Sequence, residues 1–148
     1  MDDIDRKILN EIQSAFPIAV RPYLELGKRL GLPEEEVLER VKRMRSEGII
    51  RRIGANFDSG MLNFTSSLCA ARVPEKKIKG FVGLVNGYKG VTHNYLRGHD
   101  YNIWFTLIAP STEDIEDVLN EISEKTGVKG ILNLPAIRTF KIKVDLQF

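Results

Sequence analysis

A length of 148 residues fits one globular domain or two small ones, and 43% hydrophobic with 28% charged residues supplies a core and excludes a disordered chain. The 22 Lys and Arg stand against 20 Asp and Glu; the resulting +2 divides as +1 on either side of Asn56, too little for a self-evidently basic nucleic-acid domain. A lone cysteine, Cys69, excludes an internal disulfide and a multi-cysteine metal site, while the acidic Met1-Asp2-Asp3 start and the lack of a long apolar run point to a cytoplasmic chain with no signal peptide or membrane span.

Ile4, Ile8, Leu9 and Ile12 recur at helical spacing, with Asp2, Asp3 and Asp5 crowded where the helix dipole favours anions. Pro17 and Pro22 bracket a non-helical link; a second helix is predicted from Tyr23 to Leu30, stopping at Gly31. A third helix starts at Pro33, carries Val37, Leu38, Val41 and Met44 on one face, and ends at Gly48. Ile49 to Ile53 reads as a strand. Three short helices and a strand predict a winged helix-turn-helix over 1–56.

The remainder, 57–148, has a different rhythm. Phe64–Val73 is strand-like, Pro74–Val85 is helical with Ile78, Phe81 and Val82 as its stripe, and Gly90–Arg97 and Tyr101–Ala109 are strands joined at Gly98-His99-Asp100. Ser111 to Asp114 opens a helix that buries Ile115, Val118, Leu119 and Ile122, and strands over Gly130–Leu134 and Ile137–Leu146 end the chain. The order β-α-β-β-α-β predicts a ferredoxin-like domain for ligand binding and assembly, so the fold class is α+β.

This two-part architecture resembles the Lrp/AsnC regulators over essentially the whole chain, carried by Asp5–Ile12, Leu38–Met44 and the hairpin Gly98-His99-Asp100-Tyr101. Four further segments are similar to a narrower group, the siroheme decarboxylase subunits: Phe16–Tyr23, Arg51–Ser59, Val91–Arg97 and Leu134–Lys141. The run Val91-Thr92-His93-Asn94-Tyr95-Leu96-Arg97 looks more like the alpha-type subunit than the beta-type. The resemblance implies a carboxy-lyase that removes two acetate carboxyls from siroheme, giving didecarboxysiroheme for the alternative haem route or haem d1 synthesis. It implies no required cofactor, with iron-containing siroheme as the substrate. The expected partner is a paralogous subunit, as a heterodimer, or a second copy of the chain, paired through the ferredoxin-like domain.

The residues themselves bear on this. A recognition helix meets DNA with its N-terminal residues, and here that turn is Glu34-Glu35-Glu36, opposing contact with a polyanion. Specific DNA binding is not expected, although Arg40, Lys42, Arg43 and Arg45 lie further along. Alternation puts His93, Tyr95 and Arg97 on one strand face. That row either faces solvent or lines a ligand surface to which the next strand adds Asn102 and Trp104, or Tyr101 and Ile103, according to register.

Decarboxylation needs an electron sink, which a conjugated macrocycle supplies, and a general acid, for which histidine is best matched near neutrality. His93 is the first candidate, either as that acid or as an axial ligand to the substrate iron. Tyr95 is placed to orient it, and His99 is either a turn residue or a second catalytic group. Arg51, Arg52, Arg97, Tyr101, Trp104 and Arg138 are candidate substrate contacts, the arginines because a guanidinium fork matches carboxylates. Only one of the adjacent pair Arg51 and Arg52 is expected to face a pocket from a strand, and Arg138, in register with Phe140, Ile142 and Val144, either escapes to water or is partly enclosed. Lys141 and Lys143 fall on the solvent-side alternation, and Cys69 is read as inert. No spacing supports a protein-held metal or a phosphate loop. The competing readings are a DNA- and effector-binding Lrp/AsnC regulator and a haem or siroheme sensor.

Overall fold

A computed structural model of the chain describes residues 1–142 and 146–148. Its contacts form two compact units, Met1–Ala55 together with Lys141–Phe148, and Asn56–Phe140. The described residues of the C-terminal end, 141–142 and 146–148, thus group with the first unit, whereas the sequence pattern places them with the second domain.

The first unit holds three helices, α1 (Asp3–Ala15), α2 (Pro22–Leu30) and α3 (Glu34–Ser46), around Ile8, Leu9, Leu26, Val37, Val41, Met44 and Ile50. α1 begins with a reciprocal cap: Asp5 N–H donates to Asp2 Oδ1 at 2.9 Å, and Asp2 N–H to Asp5 Oδ2 at 3.0 Å. Gly31 closes α2 at φ 70°, a left-handed cap that suits glycine.

Asp5 does more than cap. Its carboxylate is fully buried and accepts from Arg40 at 3.0 Å and Arg43 at 2.5 Å, both on α3. Arg40 also bonds Asp2 at 2.8 Å and Glu36 at 2.9 Å, and Arg21 pairs with Glu34. Burial alone would push the Asp5 carboxyl up; the Asp2 amide, the Arg40 hydrogen bond and the Arg43 charge outweigh it and hold it below the ordinary value. The Arg40 guanidinium, with the Asp5 amide, brings Asp2 down to about 2.

Two expected strands do not form among the described residues. Ile49 to Ile53 is not a strand, so the described residues of this unit carry no wing. Gly48 (φ 77°) turns the chain back over the end of α3, where the Ile49 and Ile50 amides both donate to Met44 O, at 2.9 and 3.1 Å. Those donors are consumed capping a helix, and no neighbouring strand offers a ladder. The segment Ile137–Ile142 is likewise unpaired, with Ile137, Phe140 and Ile142 exposed, and the rest of that expected strand, Lys143, Val144 and Asp145, lies outside the described residues. Beyond it, the Gln13 side-chain amide takes the place of a strand, donating to Leu146 O at 2.6 Å and accepting from Leu146 N at 3.1 Å.

The second unit is β1 (Thr65–Ala71), α4 (Ile78–Val85), β2 (Val91–Leu96), β3 (Ile103–Ala109), α5 (Thr112–Thr126) and β4 (Leu132–Pro135). The sheet order is β2-β3-β1-β4 with every neighbour antiparallel, the ferredoxin-like arrangement. A short 3₁₀ turn, Glu75–Lys77, precedes α4 where a continuous helix from Pro74 was expected. Ser111 Oγ accepts the Asp114 amide at 3.0 Å to start α5. On β3, Ile103, Phe105, Leu107 and Ala109 are buried against Phe81, Val85, Ile115, Leu119 and Ile122 of the helices, while Trp104, Thr106 and Ile108 alternate onto the face without helices. Among the described residues no helix is long and apolar enough to cross a membrane.

Two measurements follow from the α1–α3 contacts. Asp5→Ala is expected to lower the unfolding free energy by about 1.5–3 kcal/mol at pH 7, because it strips charged hydrogen bonds from a buried acceptor and removes half the cap. Since both aspartates are depressed in the fold, their contribution is present above the unfolded value near ~3.9 and drains as pH falls toward the folded values. The wild-type advantage over Asp5→Ala in urea titrations should therefore shrink from pH 6 to pH 2.5, and an advantage that grew on acidification would contradict the assignment.

The second concerns DNA. With Arg21, Arg40 and Arg43 held by carboxylates, Lys42 and Arg45 are the exposed cations left on α3. Two phosphate contacts give a log K versus log salt slope near about −2 and only weak, non-specific affinity. Nanomolar binding to a defined operator would refute this.

Candidate functional site on the uncovered sheet face

Directly paired residues share a sheet face, so the register fixes the composition of the surface that the helices leave bare. His93 pairs with Thr106 and Tyr95 with Trp104, across β2 and β3. Thr106 in turn opposes Leu68 of β1, and Leu68 opposes Leu134 of β4. The face therefore grades from aromatic and polar at β2–β3 to aliphatic at β1–β4, where Leu68 and Leu134 are both exposed.

The aromatic end is ordered by specific contacts. The His93 and Tyr95 rings stack at 5.9 Å with an 18° interplanar angle. The Arg97 guanidinium lies 5.7 Å from the Tyr95 ring centre and 5.8 Å from that of Trp104, within cation–π range of both. Trp104 Nε1–H donates to Tyr101 O at 2.6 Å, so the indole is pinned by its polar edge. His93 Nδ1 is 3.0 Å from Thr92 Oγ1.

The hairpin that carries Arg97 and Trp104 is latched to Val73, two residues beyond β1. Asn102 Oδ1 accepts from Val73 N and Asn102 Nδ2 donates to Val73 O, each at 2.8 Å, and the Arg97 amide donates to Asn102 O at 2.8 Å. The register settles the alternative that alternation left open: Trp104 joins His93 and Tyr95, Ile103 faces the helices, and Asn102 is spent on the latch. Tyr101 forms a neighbouring cluster, stacked on His99 at 6.4 Å and 22°, with the Arg72 guanidinium 4.5 Å from its ring centre. His99 Nδ1 accepts the Tyr101 amide at 3.1 Å, which is turn chemistry.

The other arginines lie elsewhere. Arg51 and Arg52 are both exposed and both line one cleft of the first unit, about 780 Å³, with Leu9, Ile12, Phe16 and Phe148. The expectation that only one could face a pocket rested on a strand; without the pleat, adjacent side chains are not forced apart. Arg138 is exposed over the Phe140 ring at 5.0 Å, on a segment that is not a strand, which is the escape to water among the two alternatives. Cys69 is buried, which pushes its thiol up to about 11 and keeps it protonated. Among the described residues no group of His, Cys, Asp or Glu is placed to hold a metal ion.

The sequence pattern does not single out Arg72 or Thr92 as functional. Arg72 follows directly on β1 and would have emerged had the β1–β3 register been known. Thr92 carries no signal beyond the glycine two residues before it.

Known proteins are similar to this chain over both of its units. A model described as the AsnC-like ligand binding domain matches residues 62–141, and one described as the siroheme decarboxylase NirDL-like HTH domain matches residues 5–51. The siroheme decarboxylase alpha subunit of Desulfovibrio desulfuricans is 58% identical over 147 residues, 99% of this chain and 84% of that protein. The crystal structure of the siroheme decarboxylase NirDL in co-complex with an iron-uroporphyrin III analogue superposes with a TM-score of 0.69 at 33% identity, covering 96% of this chain and 48% of that one. An AsnC family transcriptional regulator from Agrobacterium tumefaciens reaches a TM-score of 0.80 at 23% identity over 99% of this chain and 96% of its own, a likeness of fold alone.

Proposed function

The chain belongs to the siroheme decarboxylase family, and from that premise we propose that the uncovered face of its second unit is where the macrocycle lies and loses its carboxyls. The chain is a subunit of a carboxy-lyase acting on siroheme. The observation that carries the site is the row His93, Tyr95, Trp104 and Arg97, which joins a flat aromatic wall, a guanidinium and an imidazole on one exposed surface.

Each group has a stated task. The indole plane, pinned through Nε1, and the Tyr95 ring give an apolar bed for a planar ligand. Arg97 holds a carboxylate by its fork. At each reacting acetate arm the bond to the carboxyl carbon breaks and carbon dioxide leaves. The bonding pair passes into the conjugated ring of the substrate, and the methylene carbon then takes a proton to become a methyl group. The macrocycle is the sink, so the reaction asks for no added cofactor, and His93 supplies the proton through Nε2, its Nδ1 being engaged by Thr92. The exposed Arg51 and Arg52, which line one cleft of the first unit, are proposed on their own chemistry as carboxylate-binding groups. Arg138, open to water, and His99, occupied in its turn, are proposed only as peripheral contacts.

A second subunit is part of the reading. Three relatives at 52–58% identity are described as alpha subunits, and NirDL is about twice as long as the part that this chain matches. The aliphatic end of the face, Leu68 and Leu134, is the surface we assign to a paralogous subunit. A fully active species that stayed monomeric in light scattering would exclude that assignment.

His93→Ala should fold and bind siroheme yet turn it over ~10²–10⁴-fold more slowly, with the visible spectrum of the complex unchanged. A spectrum that shifts, with weakened binding, would make His93 an iron ligand instead, and normal turnover would remove it from the site. Arg97→Ala should cost about 1.5–3 kcal/mol of siroheme binding, and Arg97→Lys should recover only part. The same titration applied to Arg51→Ala and Arg52→Ala decides their part, an unchanged affinity excluding either one.

A further inference from the structure

β2 does not run as an unbroken pleat. Val91 pairs with Leu107 and packs on the helix-side core, whereas His93, only two residues on, pairs with Thr106 on the uncovered face. In a regular strand, residues two apart share a face, and His93 would be turned inward with Val91. Thr92 is the extra residue of a bulge that breaks the alternation and re-aims His93 outward. Asn94 then falls on the helix side, where its Nδ2 donates to Asn86 Oδ1 at 2.9 Å.

Gly90 admits the irregularity. Its carbonyl accepts the Ile108 amide at 2.9 Å, and a Cβ at this position would stand 2.1 Å from Ile108 O, closer than any side chain tolerates. The backbone can approach β3 there only as glycine. The bulge thus puts a hydroxyl next to the imidazole, Thr92 Oγ1 at 3.0 Å from His93 Nδ1, while Tyr95 stacks on the ring. Stacking fixes the ring plane, and the hydroxyl fixes which edge of the ring is turned away.

We propose that Thr92 is a positioning residue for proton delivery: by holding Nδ1 it commits Nε2 of His93 to the substrate. The inference rests on the reading of His93 as the proton donor. In the imidazolium, Nδ1–H donates to Thr92 Oγ1 and Nε2–H faces the reacting carbon. When Nε2 gives its proton to the methylene carbon the ring becomes neutral, Nδ1 keeps its hydrogen, and Oγ1 still accepts it. One hydroxyl therefore serves both protonation states without moving.

The test compares Thr92→Val, isosteric without the hydroxyl, with Thr92→Ser, which keeps it, in the full chain assembled with whatever subunit its turnover requires. Thr92→Val should lower kcat about 3- to 10-fold, the scale of one hydrogen bond, with KM for siroheme within about twofold of wild type. Thr92→Ser should restore kcat to within about twofold. Wild-type kcat in Thr92→Val, or a loss that Thr92→Ser fails to restore, would overturn the proposal. His93→Ala measured alongside separates the two failures. An inactive His93→Ala beside a normal Thr92→Val refutes the role of Thr92 alone, whereas an active His93→Ala removes the reading on which it rests.

Discussion

Both helices of the ferredoxin-like unit lie on one side of a four-stranded antiparallel sheet, and the strict alternation of β3 does the rest. Four of its side chains are committed to the core, and the three between them are forced onto the bare face. Trp104 is outward because Ile103 and Phe105 are inward. Tyr95 follows Trp104 by pairing, and Arg97 follows through the hairpin that Asn102 ties to Val73. Only His93 needs an exception, and the bulge at Thr92 supplies it. The candidate site is thus a consequence of core packing plus one inserted residue.

The helical unit follows a different constraint. Its buried carboxylate, Asp5, must be met by cations, and those cations come from α3, the element that would otherwise read DNA. Stability and phosphate binding compete for the same arginines, and the internal contacts win: Arg40 holds three carboxylates at once. The likeness to Lrp/AsnC regulators in fold is therefore compatible with a helix-turn-helix that serves as scaffold.

The alternation, the helix stripes and the order of elements were legible in sequence because each depends on local periodicity: Phe81, Ile115 and Ile122 announce their buried faces without reference to any partner. The row of His93, Tyr95 and Arg97 was legible for the same reason, though parity alone places Val91 with them, and only the register against Leu107 and Thr106 reveals the bulge. The wing was not legible. Ile49 to Ile53 has the composition of a strand, but a strand exists only with a partner, and the amides of Ile49 and Ile50 are spent on Met44. The sequence marks Asp5 only as a helix-dipole charge, since nothing local says that Arg40 and Arg43, thirty-five and more residues away, will bond to it. Long-range polar pairing is where the sequence reading stops.

The most direct measurement is the mass of the tetrapyrrole after anaerobic incubation of siroheme with the chain, alone and together with a paralogous subunit. The account predicts loss of two carboxyls as carbon dioxide, with the iron retained and no added cofactor. Siroheme recovered at its original mass from both incubations would contradict it.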